Sequence, residues 1–415
     1  MIINRRNFLK GLGSTFALSA IPGVNSYAYN PFGLNNPNKE IFVFVFLRGG
    51  CDALNLVAPM GDRFYADSRT AALRVPENPN FILDNGLDGY DFNIHPKAQA
   101  LKEIYDSGDM AIVHASGLNN GTRSHFEAMD LIERGLIKKE GNAKGWMTRY
   151  FETLKSTSIL PAVAVGNGLP SSFLGCPEVT SIDSVKDFKV LGEPYMKQIL
   201  SDFYKGDTLL HNVGHKTLKT IDSIQNRVSK KHNGNVEDYH PEHNVKYPDE
   251  WYINGFSRSL QNLARLIKMD LGVHIATVEF DDWDHHERQE YRFPQRIEGL
   301  SNSLAAFYND MSNFHNRMTI VVMSEFGRRL KSNRSAGTDH GHGGLSFILG
   351  GKVKGGRMYG EWPGLATHQL DNGVDLAVTT DYRNILSEIL SKQLRSDKLD
   401  FIFPGFVEYE PIGFL

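Results

Sequence analysis

The chain has 415 residues, 41% of them hydrophobic, enough for a large core and longer than the usual single domain. With 45 Lys and Arg against 48 Asp and Glu, the net charge is −3, so no basic excess marks a nucleic-acid binder. Two cysteines, Cys51 and Cys176, exclude a disulfide scaffold and any CxxC-type zinc or iron–sulfur site. A metal, if used, must be held by His and carboxylates.

Residues 1–28 read as an export signal rather than as part of the fold. Arg5, Arg6 and Lys10 form a cationic head, Gly11 to Pro22 is a short, weakly apolar run, and Asn25-Ser26-Tyr27-Ala28 offers an Ala-type cleavage site. The run is shorter than the roughly 20 apolar residues that span a bilayer, so no transmembrane helix is expected. Arg5-Arg6 followed by Phe8-Leu9-Lys10 resembles a twin-arginine signal, which implies the twin-arginine export machinery as a partner and a periplasmic or secreted destination. Removing this segment leaves 42 basic against 48 acidic residues, a net charge of −6. Tyr29 to Lys39, rich in Asn and Pro, reads as a linker.

From residue 40 onward one domain is expected. Ile41-Phe42-Val43-Phe44-Val45-Phe46-Leu47, closed by Arg48-Gly49-Gly50, predicts a central parallel strand buried on both faces. Met110 to His114 predicts a second strand, Ser124 to Arg134 a helix, and Pro161 to Val165 a third strand. Residues 205–250 are polar and poor in apolar periodicity and read as a surface insertion or cap. A helix over Ser257 to Met269 precedes a strand over His274 to Val278, and a helix over Gln295 to Phe314 precedes strands over Met318 to Met323 and Leu345 to Leu349. A last helix spans Asp381 to Leu394. This alternation predicts an α/β fold with a mostly parallel central sheet and helices on both faces, whose ligands gather at the carboxyl ends of the strands.

Those ends are rich in Asp, Glu and His: Asp52 after the first strand, Ser124-His125 after the second, Asp284-His285-His286, Glu325, and Asp339-His340-Gly341-His342. Carboxylates converging near 4 Å repel by about 1 to 4 kcal/mol, and one or two divalent cations remove the conflict. A mixture of oxygen and imidazole ligands suits Zn²⁺ or Mn²⁺ better than Ca²⁺. Other readings stand beside this one: Asp52 as a helix N-cap, Glu325 with Arg328 as a surface ion pair, His125 as one more residue of an amphipathic helix. His211, His215, His232, His240 and His243 lack strand-end context and read as solvated surface. Cys51 can act as a ligand or nucleophile, though a small residue at a tight turn is the commoner case. A Cys51–Cys176 disulfide is permitted in an oxidising compartment. Gly166-Asn167-Gly168 is too short to stand as a phosphate loop.

Leu47-Arg48-Gly49-Gly50 with Asp52 and Leu54-Asn55, Arg123-Ser124-His125-Phe126, Trp283-Asp284-His285-His286, Ser324-Glu325-Phe326-Gly327-Arg328 and Gly337-Thr338-Asp339-His340-Gly341 together resemble the exported bacterial proteins catalogued as domain of unknown function 1501. That resemblance implies an alkaline-phosphatase-like fold, similar to the alkaline phosphatase and sulfatase superfamily. Carried onto this sequence, it implies metal ligands at Asp52, Asp284, His286, Glu325, Asp339 and His340, with His342 in reserve. It places the nucleophile at Ser124, at a helix start where an anionic group is favoured, with His125 moving protons. Glu325 stands where Asp is usual, and Glu-Phe replaces the usual Asp-His. Cys-x-Pro-x-Arg is missing, which disfavours a formylglycine sulfatase. The resemblance therefore implies an exported, metal-dependent hydrolase of phosphate or sulfate-type esters, acting on a small molecule or glycan. The alternative is a non-catalytic, metal-containing binding protein of the cell envelope.

Overall fold

The computed structural model describes residues 40–415 except 140, 142–143, 155–157, 167, 193–194, 233 and 407–408, and of residue 254 the backbone alone. The export signal with Arg5 and Arg6, the linker, and Asn167 of the short glycine motif lie outside the described residues.

Twelve strands are described: β1 (Ile41–Leu47), β2 (Val57–Pro59), β3 (Ile82–Leu87), β4 (Tyr90–Ile94), β5 (Met110–Gly117), β6 (Ala162–Val165), β7 (Val179–Ile182), β8 (Ile275–Phe280), β9 (Met318–Ser324), β10 (Gly344–Leu349), β11 (Arg357–Tyr359) and β12 (Thr380–Asp381). The main sheet runs β11-β5-β10-β9-β1-β8-β6-β7, with β12 also on β5. All its pairings are parallel except those of β10, which runs against both β5 and β9. The chain is thus mixed α/β with a central, mostly parallel sheet.

The alternation of β1 explains why the sheet is covered twice. Ile41, Val43, Val45 and Leu47 enter one core, and Phe42, Phe44 and Phe46 the other. The first core is closed by helices Asn254–Lys268 and Gln289–Asp310 through Leu260, Leu263, Ile267, Leu300 and Leu304. The second is closed by helices His125–Arg134, Trp146–Glu152 and Tyr382–Glu388. In the first of these, Ala128, Leu131 and Ile132 have the i, i+3, i+4 spacing of a buried stripe. Gly135 ends that helix at φ 68°, its N–H donating to the Ile132 and Leu131 carbonyls.

Two parts go beyond the sequence reading. A small antiparallel sheet, β2-β4-β3, precedes β5. Its strands are short and β3 is largely polar, so apolar runs do not reveal it. The Asp88-Gly89 turn between β3 and β4, with φ of 50° and 81°, is the hairpin signal that does. The stretch read as a polar cap holds a 19-residue helix, Leu209–Arg227, preceded by the helix Tyr195–Phe203. Cys51 and Cys176 are free thiols and belong to the opposite cores, so the permitted disulfide does not form. Burial, with Asp52 alongside, pushes the Cys51 thiol well above its ordinary value, which leaves it a poor nucleophile or ligand.

Candidate metal centre

Four segments distant in sequence meet on the rim at the carboxyl ends of the parallel strands. The chain leaving β5 brings His125, the chain leaving β8 brings Asp284 and His286, and β9 runs directly into Glu325. Asp339 and His340 come before β10, and only because β10 is antiparallel does its leading loop reach the same rim.

The imidazoles face each other through Nε2. His340 Nε2 lies 2.9 Å from His125 Nε2 and 2.8 Å from His286 Nε2. The Asp284 carboxylate completes the group, at 3.1 Å from His286 Nε2, 3.2 Å from His340 Nε2 and 3.4 Å from His125 Nε2. The Nδ1 atoms point outward to groups that only accept. His125 Nδ1 is 2.7 Å from the buried Glu325 carboxylate, His286 Nδ1 is 3.1 Å from Asp339, and His340 Nδ1 is 2.8 Å from the Arg123 carbonyl. Each Nδ1 therefore carries a hydrogen, and in its neutral form each ring turns an Nε2 lone pair inward. In that form three lone pairs and a carboxylate face one another, an arrangement a cation would satisfy.

A zinc-type ion fits this donor set. Ligand bonds of about 2.0–2.1 Å in a tetrahedron place ligand atoms about 3.3 Å apart, which the Asp284 contacts match, while the two Nε2–Nε2 contacts of 2.8 and 2.9 Å are shorter. His125, Asp284 and His340 form a group able to hold a metal ion, and His286 stands beside it, in contact with His340 and Asp284. Burial lowers the His340 pKa against its bond to the Arg123 carbonyl, favouring the neutral, ligating ring. Partial burial works against the Asp284 carboxylate, but the Arg328 guanidinium outweighs it and holds the acid at about 2.

The surroundings fix these groups. Glu325 is fully buried and accepts from the Gly49 N–H at 2.8 Å and the Ser324 hydroxyl at 2.9 Å. Phe326 lies beneath the imidazoles, its ring centre 4.8 Å from that of His125 and 5.1 Å from that of His340. Arg328, buried, donates to the Gly50 and Thr338 carbonyls at 2.6 and 2.9 Å and also to Asp284, pinning three loops together. It is neither on the surface nor paired with Glu325, contrary to the ion-pair reading, and its clamping role leaves no local sequence signal. Gly49 is required where it stands: its φ is +120°, and a Cβ there would lie 2.6 Å from the Asp284 nitrogen.

The expected site residues divide clearly. Asp284, His286 and His340 come together, and His125, expected to move protons, joins them. Glu325 and Asp339, expected as ligands, stand one step behind, each holding an imidazole. Asp52 is outside the group. Its carboxylate is gripped by both Nη atoms of the buried Arg69, by Gln289 Nε2 at 2.6 Å and by the Asn55 N–H, so it is a helix cap and a buried ion-pair partner. A carboxylate so engaged has no lone pair to spare for a metal, which corrects the expectation for Asp52. Ser124 is the exposed N-cap of the helix that His125 begins, and its side chain makes no capping bond. His342 bonds the Leu118 carbonyl and faces Asp371 instead of the cluster. His285, between two cluster members, turns the other way and packs edge-on to Phe293 at 5.8 Å.

Fold and site together define an α/β protein carrying a His/Asp cluster on the carboxyl rim of its central sheet. Residues 241–395 match the family described as "Protein of unknown function (DUF1501)", a stretch that holds Asp284, His286, Glu325, Asp339 and His340 but not His125. No curated protein matches the sequence significantly. Among solved structures, similar ones include a protein in the alkaline phosphatase superfamily from Vibrio parahaemolyticus, 10% identical over 86% of this chain and 71% of that one, with a TM-score of 0.34. The PsFucS1 sulfatase from Pseudoalteromonas sp. is 9% identical over 86% of this chain and 68% of that one, with a TM-score of 0.31. The C-terminal periplasmic domain of EcEptC from Escherichia coli, in complex with Zn, is 10% identical over 89% and 88%, with a TM-score of 0.36. The class of fold stands on the strand order itself, and among the described residues no helix is long and apolar enough to cross a membrane.

Proposed function

We propose that this protein is a metal-dependent hydrolase of phosphate or sulfate-type esters, working with one divalent ion, Zn²⁺ or Mn²⁺. The observation that carries the reading is the convergence of three Nε2 lone pairs and the Asp284 carboxylate with every outward Nδ1 tied to an acceptor. A bound ion of this type supplies Lewis acidity towards an ester oxygen. The chain supplies the rest. Glu325 and Asp339 keep His125 and His286 in the ligating tautomer, and Arg328 holds Asp284 in place. Asp284 and His286 are each 44% exposed through their side chains, so the rim is open to a substrate. Ser124, next to His125 and exposed, offers the hydroxyl nucleophile, and the ester class follows the resemblance of the rim motifs. One ion is proposed, because Asp52 is committed to Arg69. Export of residues 29–415 after loss of 1–28, with 29–39 as linker, belongs to the same reading and rests on Arg5-Arg6.

One observation favours the non-catalytic reading. With His286 beside His125, His340 and Asp284, an ion would have four protein ligands within reach, the number typical of closed structural zinc sites. Turnover separates the two. Zinc- or manganese-loaded protein is expected to hydrolyse p-nitrophenyl phosphate or p-nitrophenyl sulfate, and Ser124→Ala to lower that rate by at least about a hundred-fold with metal retained. Metal-loaded, folded protein without turnover on either ester would leave the binder. Independently of substrate, Glu325→Gln is expected to weaken metal affinity about 10–100-fold by loosening His125, as measured by competition with a chromogenic chelator. Unchanged affinity would remove Glu325 from that role.

A further inference from the structure

A cavity of about 290 Å³ opens where the parallel strands β6 and β8 end, on the same carboxyl rim as the His/Asp cluster. Val165, Ile253 and the stacked rings of Phe256 and Phe280 give it an apolar wall. Four carboxylates give it a polar one: Asp183 follows β7, Glu279 stands on β8, and Asp281 and Asp282 follow β8. Arg296 is the one basic residue among the described lining, and it is paired with Asp282. Outside the lining, Arg48 is shared between Glu279 and Glu133. Acids still outnumber bases, four to three, when Arg48 and Arg258 are both counted against the lining carboxylates. Asp183 and Asp281 have no ion-pair partner among the described residues.

Thr277 sets this cavity apart from a merely acidic surface. It is 4% exposed, and its backbone is taken up on both sides, by Phe44 of β1 and Ala164 of β6, so what it offers the cavity is its side chain. That hydroxyl has no hydrogen-bond partner among the described residues, and leaving a buried hydroxyl unpaired is destabilising. The chemistry of the lining selects the ligand. An anion would be repelled. A bare metal ion needs oxygens that converge, and among the described residues the one group that does so is His125, Asp284 and His340. An ammonium group carries three hydrogens to donate and a charge to neutralise, which answers both the Thr277 hydroxyl and the free carboxylates. We propose that this cavity binds the ammonium group of a small amine, with the carbon frame against Phe256 and Phe280. Asp282 and Asp284 are two residues apart, at most about 7 Å between Cα atoms. On the hydrolase reading above, on which this step alone rests, the amine and the ester at the metal centre belong to one substrate.

Calorimetric titration of the full chain with glucosamine and with glucose, which differ by an ammonium in place of a hydroxyl, tests the cavity without any turnover. Glucosamine is expected to bind at least about ten-fold more tightly than glucose, with and without metal in the cluster, and less tightly as salt rises. Asp281→Asn should weaken glucosamine binding by about ten-fold and leave the glucose titration as in the parent. Thr277→Val should weaken it by about five-fold while the melting temperature does not fall, because the hydroxyl removed has no partner in the protein. Equal binding of the two sugars, or glucosamine binding that survives both substitutions unchanged, overturns the proposal. Turnover then tests the link to the metal centre. Metal-loaded protein should hydrolyse glucosamine 6-phosphate with a kcat/KM about ten-fold above that for glucose 6-phosphate, and Asp281→Asn should erase the difference. Equal rates on the two esters would overturn the link. Selective glucosamine binding with no hydrolysis of any ester would support the cavity and remove the hydrolase reading instead.

Discussion

Asp284→Ala and His340→Ala are each expected to drop bound metal to well below one ion per chain while the circular dichroism spectrum stays that of the parent. Each removes a member of the inward-facing group, and neither residue is itself part of the cores of the sheet. A ligand that binds the folded state alone stabilises it by about 4 kcal/mol at a thousand times its dissociation constant, so chelation of the parent should lower its melting temperature by several degrees. Added Zn²⁺ or Mn²⁺ should restore it, and should do little for either variant. Elemental analysis and thermal melts with and without chelator measure both quantities. If the parent takes up no stoichiometric metal under any loading condition and chelator leaves its melting unchanged, the cluster holds no ion and the hydrolase reading loses its support.

Asp52→Ala is expected to destabilise the protein by about 3–5 kcal/mol and to leave metal content unaltered. The cost comes from Arg69, whose guanidinium is buried and would keep only the Leu330 and Arg329 carbonyls as partners. Gln289 Nε2 and the Asn55 N–H would lose an acceptor as well. Urea denaturation gives the free energy and elemental analysis the metal. A variant that loses its metal while keeping its stability would return Asp52 to the ligand set. Arg69→Met removes the other half of the pair, and a smaller loss in the double variant than in the sum of the two singles would show that the residues act together.

The sequence exposes the strands that are apolar along their whole length, because a strand covered on both faces needs no polar residue. Ile41–Leu47 is the clearest case, and Ile320–Met323 within β9 comes next. Strands 82–87 and 90–94 carry no such run, and only the Asp-Gly turn between them is legible. At the rim, Asp284, His286 and His340 are legible because Asp-x-His and Asp-His put two ligand types on one short loop. The place of His125 is not, since it depends on Glu325 taking its Nδ1 hydrogen from 200 positions away. Asp52 misleads for the converse reason. It stands at the end of a buried strand as a ligand should, but Arg69, 17 residues on, claims it, and no spacing rule reports that pairing.

His125 and His340 are 215 positions apart in the chain. They become neighbours only after β10 has been laid between β5 and β9, which closes long loops before any contact at the rim is gained. A fragment ending before β10 contains every residue of the constellation but not the strand that carries the 339–340 loop to the rim, so capture of a metal is expected to follow assembly of the sheet rather than guide it. During refolding, backbone structure should therefore recover at a rate indifferent to added zinc. Metal uptake should trail it as a separate, later event, making the ion a reporter of completed folding.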